Sequence, residues 1–262
     1  MELGKNTVLV TGGGTGIGLA IAVRFVKAGS RVIIVGRRED KLLQAREQYP
    51  DLITKVCDIS DENARKELFA WVTENYPQTN VLVNNAGIQR AINLTRAGDD
   101  WSRYKDEIAT NLEAPIHLSM MFAPWFMEKD DPAIINVSSR LGLMPAVWVP
   151  IYTSTKAALH FFSRALRMQL ADTGIKVCEI LPPMVDTDLA GAGAQSGGVN
   201  VDVFADAIMQ KLADGTEEIG YANSETALSD EYTSSAAMAE AARLWDVFSH
   251  KNPIFENLLK NN

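Results

Sequence analysis

At 262 residues, 47% of them hydrophobic, the chain can bury one sizeable core, and a single α/β domain over 1–262 is expected. Its net charge of -8, without a Lys/Arg-rich run, argues against the basic face that a nucleic-acid partner requires. No apolar run approaches the roughly 18 to 20 residues that span a bilayer, and the start MELGKNTVLV lacks a secretory-signal pattern; the expected location is the cytoplasm, with no membrane partner.

The first element, 7–10 (TVLV), is a β-branched apolar run of the kind found in buried parallel strands. It leads into Thr11-Gly12-Gly13-Gly14-Thr15-Gly16-Ile17-Gly18, and helical spacing follows at once from Ile17 to Ala28. Glycine lets the backbone turn tightly and approach a phosphate, while a helix start offers N–H donors and the positive end of its dipole. That is the arrangement a pyrophosphate needs, although Gly12, Gly16 and Gly18 are spaced differently from the common dinucleotide fingerprint. The plain alternative for this loop is a flexible turn.

The second strand, 31–35 (RVIIV), runs into Gly36-Arg37-Arg38, where a carboxylate would be the usual partner of the NAD ribose. Two guanidinium groups suit a 2′-phosphate, so NADPH/NADP+ is expected ahead of NAD(H). The competing reading is a solvated basic pair at a helix entrance.

Strand and helix then alternate: helix Lys41 to Gln48, strand 52–57, helix Glu62 to Glu74, strand 80–83, helix Trp101 to Met127, strand 133–137, helix Tyr152 to Asp172 and strand 175–181. Repeated βα units of this kind predict a Rossmann-type, doubly wound parallel sheet in a three-layer αβα arrangement, with function in the strand-to-helix loops. Beyond Leu181 the alternation weakens. The segment 191–198 (GAGAQSGG) is rich in small residues, and a mobile substrate loop is expected over about 189–201. Helix Val201 to Ala213, a short strand Glu217 to Tyr221 and a helix Thr226 to Phe248 complete the expected chain.

Cys57 and Cys178 sit inside apolar strands, where a free thiol is usually a small buried hydrophobe. His117, His160 and His250 lack metal-ligand spacing, so packing or surface roles are expected and no metal site. Tyr152 and Lys156, four apart at a helix start, project from one face. An ammonium beside a phenol favours the phenolate and lowers its pKa from about 10, which suits proton transfer. Alone, the pair is equally an ordinary surface contact.

Its company is Asn84-Asn85-Ala86-Gly87 after the fourth strand, Asn111 within the long helix and Ser138-Ser139 after the fifth strand. With the TGGGTGIG loop, Asp58, NVSS and YTSTK, the chain resembles the classical short-chain dehydrogenase/reductase family over nearly its whole length. The LVNNAGIQ and PPMVDT segments look closest to a bacterial subgroup associated with teichoic-acid D-alanylation genes, a neighbourhood that does not establish chemistry.

The resemblance implies an oxidoreductase that passes a hydride between the nicotinamide cofactor and a small-molecule carbonyl or alcohol. It makes Tyr152 the general acid or base, Lys156 the holder of the nicotinamide ribose, Ser139 the hydrogen-bond donor to the substrate oxygen and Asn111 the support of a water-linked relay to Lys156. Ser138 is not expected to take part. Gly12, Gly14, Thr15, Gly16, Ile17 and Gly18 would cradle the pyrophosphate, Asp58 and Ile59 would contact the adenine, and Asn85, Ala86 and Gly87 would line the cleft. Pro182, Val185 and Thr187 would reach the nicotinamide, although Pro183 stands where the family usually has glycine and removes a backbone donor. A homodimer or homotetramer is implied as well.

The rival from another class is a nucleotide sensor that binds the cofactor and performs no chemistry. The joint presence of Asn111, Ser139, Tyr152 and Lys156 argues against it. Trp148 and Val149, just before the tyrosine, are the neighbours expected to touch substrate.

Overall fold

The apolar runs become seven strands of one parallel sheet: β1 (Thr7–Thr11), β2 (Arg31–Gly36), β3 (Leu52–Val56), β4 (Val81–Asn84), β5 (Ala133–Val137), β6 (Lys176–Leu181) and β7 (Glu218–Gly220). This is a computed structural model, and it describes residues 1–98, 101–191, 193–228 and 243. The helices are α1 (Gly16–Lys27), α2 (Glu39–Gln48), α3 (Glu62–Asn75), α4 (Trp101–Ile108), α5 (Ala114–Phe126), α6 (Pro150–Gln169), α7 (Val201–Ala213) and α8 (Asn223–Leu228).

Because side chains alternate across a strand, each strand feeds two cores. Val8, Val10, Val32 and Ile34 point to one face, where Ile21 and Phe25 of α1, Leu42 of α2 and Phe204 and Ile208 of α7 cover them. Leu9, Ile33, Val35 and Leu82 point to the other, under Leu68 and Val72 of α3, Leu118, Phe122 and Phe126 of α5, and Leu166 of α6. The three layers expected from the βα alternation follow directly. The strand order is β3-β2-β1-β4-β5-β6-β7, so the winding reverses between β1 and β4. A crevice must open there, beyond the carboxyl ends of the strands.

Two elements differ in detail from the pattern expected, and a third is described only at its start. The long helix 101–127 is broken by a π-helical turn, Ala109–Glu113, in which the N–H of Ala114 donates to Ala109 O, five residues back. Pro115 at the start of α5 contributes to this, since it has no N–H to give to the carbonyl of Asn111. The stretch 189–201 is no open loop at its base: Asp186 N donates to Val199 O (2.8 Å) and Val199 N to Met184 O (2.9 Å), forming a bridge between Val185 and Val199. It stops at Asn200, whose side chain caps α7 by accepting from the N–H groups of Asp202 and Val203. Of the helix expected over 226–248, α8 covers the first residues; all but Arg243 of the remainder lies outside the described residues. Among the described residues no helix is long and apolar enough to cross a membrane.

Candidate active site

The crevice at the β1/β4 reversal is a cavity of about 920 Å³, lined by the loops that follow β1, β2, β3, β4, β5 and β6. Every residue expected to hold the cofactor lines it: Gly12, Gly14, Thr15, Gly16, Ile17, Gly18, Arg37, Arg38, Asp58, Ile59, Asn85, Ala86, Gly87, Tyr152, Lys156, Pro182, Val185 and Thr187 are all there; of the residues expected in catalysis Ser139, Tyr152 and Lys156 line it and Asn111 does not.

At the first loop, Gly12 and Gly16 have positive φ, 66° and 56°, which strains any residue with a Cβ. Space forbids one too: a Cβ on Gly12 would lie 2.7 Å from Ala86 Cα, and one on Gly18 would lie 2.4 Å from Gly12 O. The turn is thus pressed onto the Asn85–Ala86 segment, where Asn85 Nδ2 donates to Thr11 O (3.0 Å) and Thr11 Oγ1 accepts from the N–H groups of Asn85 (3.0 Å) and Ala86 (3.2 Å). The start of α1 has no acidic residue in its first turn, and Thr15 makes no side-chain cap. Its N–H groups and dipole therefore favour an anion from the cavity, and the residues present fit a dinucleotide pyrophosphate.

At the far side of the loop, Arg38 Nη2 donates to Thr15 Oγ1 (3.2 Å), and Arg37 faces Asp58 (3.6 Å). Asp58 also accepts from the N–H and hydroxyl of Ser60. The two arginines differ in their ties: one guanidinium belongs to the phosphate turn and the other to the residue expected at the adenine.

On the opposite wall the N-terminal turns of α6 bring Tyr152 and Lys156 together, both nearly fully buried. The Ser139 hydroxyl is hydrogen-bonded to the Tyr152 phenol. Lys156 Nζ donates to Val137 O (2.8 Å) and stands 5.6 Å from the centroid of the Tyr152 ring. The phenol does not shift as the isolated pair predicts. Burial pushes it up to about 12, the Ser139 hydrogen bond opposing and the charge of Glu107 adding to the rise. Burial pulls Lys156 down to about 8, with Glu179 and Glu107 opposing. Desolvation of two adjacent groups outweighs the attraction that the four-residue spacing suggested.

Asn111 lies in the π turn and is fully buried. Its side chain is consumed by packing duties: Oδ1 accepts from Ile88 N (2.8 Å), and Nδ2 donates to Ile88 O (2.8 Å) and to Thr155 Oγ1 (3.2 Å). These bonds clamp the end of the NNAG segment to α6, and a Cβ on Gly87 would sit 3.7 Å from Lys156 Nζ.

The two serines after β5 point to different surroundings. Ser139 meets the tyrosine, whereas Ser138 Oγ donates to Glu179 Oε1 in the interior. Glu179 Oε2 accepts from His160 Nδ1 (2.8 Å), one helical turn after Lys156. Sequence reasoning left His160 to packing and passed over Glu179 and Glu107. All three are buried polar groups; Glu179 and His160 interrupt apolar runs, whereas Glu107 follows Lys105 and Asp106 in a charged stretch that gives no sign of its burial. Trp148 and Val149 line the cavity beside Leu141, Gln89 and Met184.

The sequence pattern of the short chain dehydrogenase family matches residues 6–196. The chain belongs to the short-chain dehydrogenase/reductase family. Within it, the chain is 42% identical over 224 residues to the uncharacterized oxidoreductase DltE of Bacillus subtilis, covering 84% of this chain and 89% of that protein. It is 30% identical to an uncharacterized oxidoreductase of Staphylococcus aureus, over 80% of this chain and 92% of the relative. Among solved structures, a short-chain dehydrogenase from Streptomyces avermitilis superposes with a TM-score of 0.78 at 26% identity, over 94% of this chain and 98% of that one. The L-sorbose reductase of Gluconobacter frateurii, solved with NADPH and L-sorbose, shares the fold with a TM-score of 0.73 at 22% identity, over 84% of this chain and 97% of its own. The chain is an oxidoreductase of this family, whose cofactor is a nicotinamide dinucleotide.

Proposed function

We propose that the protein is an NADP-dependent carbonyl reductase acting on a small-molecule carbonyl or alcohol, with Tyr152 as general acid and base. The observation that carries this reading is the meeting of the Ser139 and Tyr152 hydroxyls in the same cavity as the glycine turn. When bound, the cofactor supplies hydride chemistry. Tyr152 Oη then gives its proton to the carbonyl oxygen, while Ser139 Oγ donates a hydrogen bond to that oxygen and stabilises its developing negative charge. A phenol held up at about 12 is protonated throughout the neutral range, which is the form that donates. Lys156, at the wall beneath, holds the ribose and restores the proton; the part of Asn111 left for a relay is its main-chain carbonyl, because its side chain is tied to Ile88 and Thr155.

The cofactor preference rests on Arg37 and Arg38, which follow β2 where an acidic residue usually holds the ribose 2′-hydroxyl of NAD. Asp58 is itself opposed by Arg37, which leaves the end of β2 suited to a phosphate. We extend the reading to a cytoplasmic location and to assembly as a homodimer or homotetramer; Phe161 and Met168 on α6 support the assembly, being 69% and 80% exposed. No nucleic-acid or membrane partner is included.

The test is NADPH consumption by the purified protein across ketones, aldehydes, keto-esters and sugars. Turnover of at least one carbonyl, with a higher kcat/KM for NADPH than for NADH, is the expected result. Cofactor binding without oxidation across the whole panel would instead favour a nucleotide sensor.

A further inference from the structure

Glu107, in the last turn of α4, has no part in the chemistry above. It is fully buried, and the polar group turned to its carboxyl is the backbone N–H of Arg90, with no side-chain donor closing on Oε1 or Oε2 among the described residues. A carboxylate in such a place is costly unless charges nearby compensate for it. α4 packs on α6, and the groups that face the carboxyl from outside its helix are Arg90, in the loop after β4, and Lys156 on α6. Tyr152 on α6 feels its charge as well. On α4 itself Lys105 and Asp106 are exposed. Lys156 has a second buried carboxylate near it, Glu179 of β6, but that one is already engaged by Ser138 and His160. Glu107, by contrast, has the backbone N–H and charge of Arg90 on one side and the charge of Lys156 on the other, with no side-chain hydrogen bond among the described residues.

We propose that Glu107 is a titratable positioning residue for the Tyr152–Lys156 pair: its ionised form holds the lysine as an ammonium, and its protonated form leaves that task to Glu179 alone. The inference rests on the roles given to Tyr152 and Lys156 in the proposed function. Its geometry is that of a buried acid set against the helix that carries both groups. Its titration is placed to matter, because burial lifts the Glu107 carboxyl to about 7 against the pull of Arg90 and Lys156, while Lys156 is brought down to about 8. An acid and a base of ordinarily distant ranges thus meet near neutrality, and the charge of each sets that of the other.

The sign is fixed by the electrostatics. Ionised Glu107 favours the charged lysine and the neutral phenol. Glu107→Gln keeps the shape and removes the charge, so Lys156 gives up its proton at lower pH and the phenolate forms more easily. Glu107→Asp retains the charge and restores the wild-type behaviour.

The experiment is carbon-13 NMR of the full-length protein labelled at glutamate Cδ and lysine Cε, titrated through the neutral range for wild type, Glu107→Gln and Glu107→Asp. The expected result is one glutamate carboxyl titrating near neutrality, absent from Glu107→Gln, and a Lys156 midpoint that falls in that variant by roughly half a pH unit or more and recovers in Glu107→Asp. Wild-type glutamates that all titrate in the ordinary range near about 4.3 overturn the proposal, and so does an unmoved Lys156 midpoint. Neither reading needs turnover, so an inactive protein counts against the proposed function and not against this assignment. Should Glu107→Gln fail to fold, the wild-type carboxyl titration and the aspartate variant decide it. With a carbonyl substrate in hand, the alkaline limb of kcat moves to lower pH in Glu107→Gln.

Discussion

Arg38 Nη2 donates to Thr15 Oγ1 at 3.2 Å, which ties the end of β2 to the residue that opens α1. The positive charge of the second loop is thereby brought over the anion-favouring start of the first helix. If this tie and its neighbour Arg37 select the 2′-phosphate, Arg37→Ala/Arg38→Ala lowers kcat/KM for NADPH by about tenfold or more, because charge-assisted hydrogen bonds are lost. The value for NADH changes much less. Steady-state kinetics with both cofactors check this, and an equal loss for the two removes the assignment.

Tyr152→Phe deletes the transferable proton and leaves the ring. Turnover falls by on the order of a hundredfold or more, while cofactor binding, followed by fluorescence, persists. Ser139→Ala is expected to cost kcat by a similar order, since one donor to the developing oxyanion is lost. A folded Tyr152→Phe protein with near-normal turnover contradicts the assigned role.

Ser138 gives the opposite pattern from its neighbour. Ser138→Ala leaves Glu179 Oε1 short of a donor in a fully buried position, which costs about 1–3 kcal/mol of stability. A lowered Tm with kcat little changed is the expected outcome of thermal denaturation and kinetics run side by side. A large loss of kcat without a change in Tm would move Ser138 into the chemistry.

Glu218 accepts from Arg164 and Arg167, and the Arg164 hydrogen bond above all holds its carboxyl down to about 2. The unfolded value is about 4.3, so the folded state binds this proton less readily, and the stabilisation is fully present above the unfolded value. It is lost as pH falls through the folded one. The stability difference between wild type and Glu218→Gln therefore narrows from about pH 5 towards about pH 2. Denaturant unfolding at several acidic pH values measures it; a constant difference would show that the ion pair carries no linkage.

How far the sequence could be read depended on what kind of force acts at each place. β1, β2 and β4 are buried on both faces, so their apolar runs announce parallel strands without help from their neighbours. The glycine turn was plain because positive φ and close backbone approach demand one residue type. Tyr152, Lys156 and Ser139 were singled out by the family resemblance that their company with Asn111 and the glycine turn carries. The direction of the Tyr152 shift was not, because it depends on how completely α6 is covered, a property of the whole packing. Glu107, Glu179 and His160 were passed over for a similar reason. A buried polar residue has no meaning until its neighbours from other elements are known, and those are Arg90 and Lys156 for Glu107, and Ser138 and each other for Glu179 and His160.

The π turn at Ala109–Glu113 has the arithmetic of an insertion. A regular helix advances by about 100° per residue, so one surplus residue offsets the angular phase of everything beyond it. α4 and α5 therefore obey two different phases: one aims Glu107 at α6, and the other lays Phe122 and Phe126 on the sheet. Asn111 sits at the slip between them. Excising a single residue here would make the helix more regular and its local hydrogen bonding more conventional, yet it would swing one end out of phase, setting the hydrophobic core and the catalytic wall against each other.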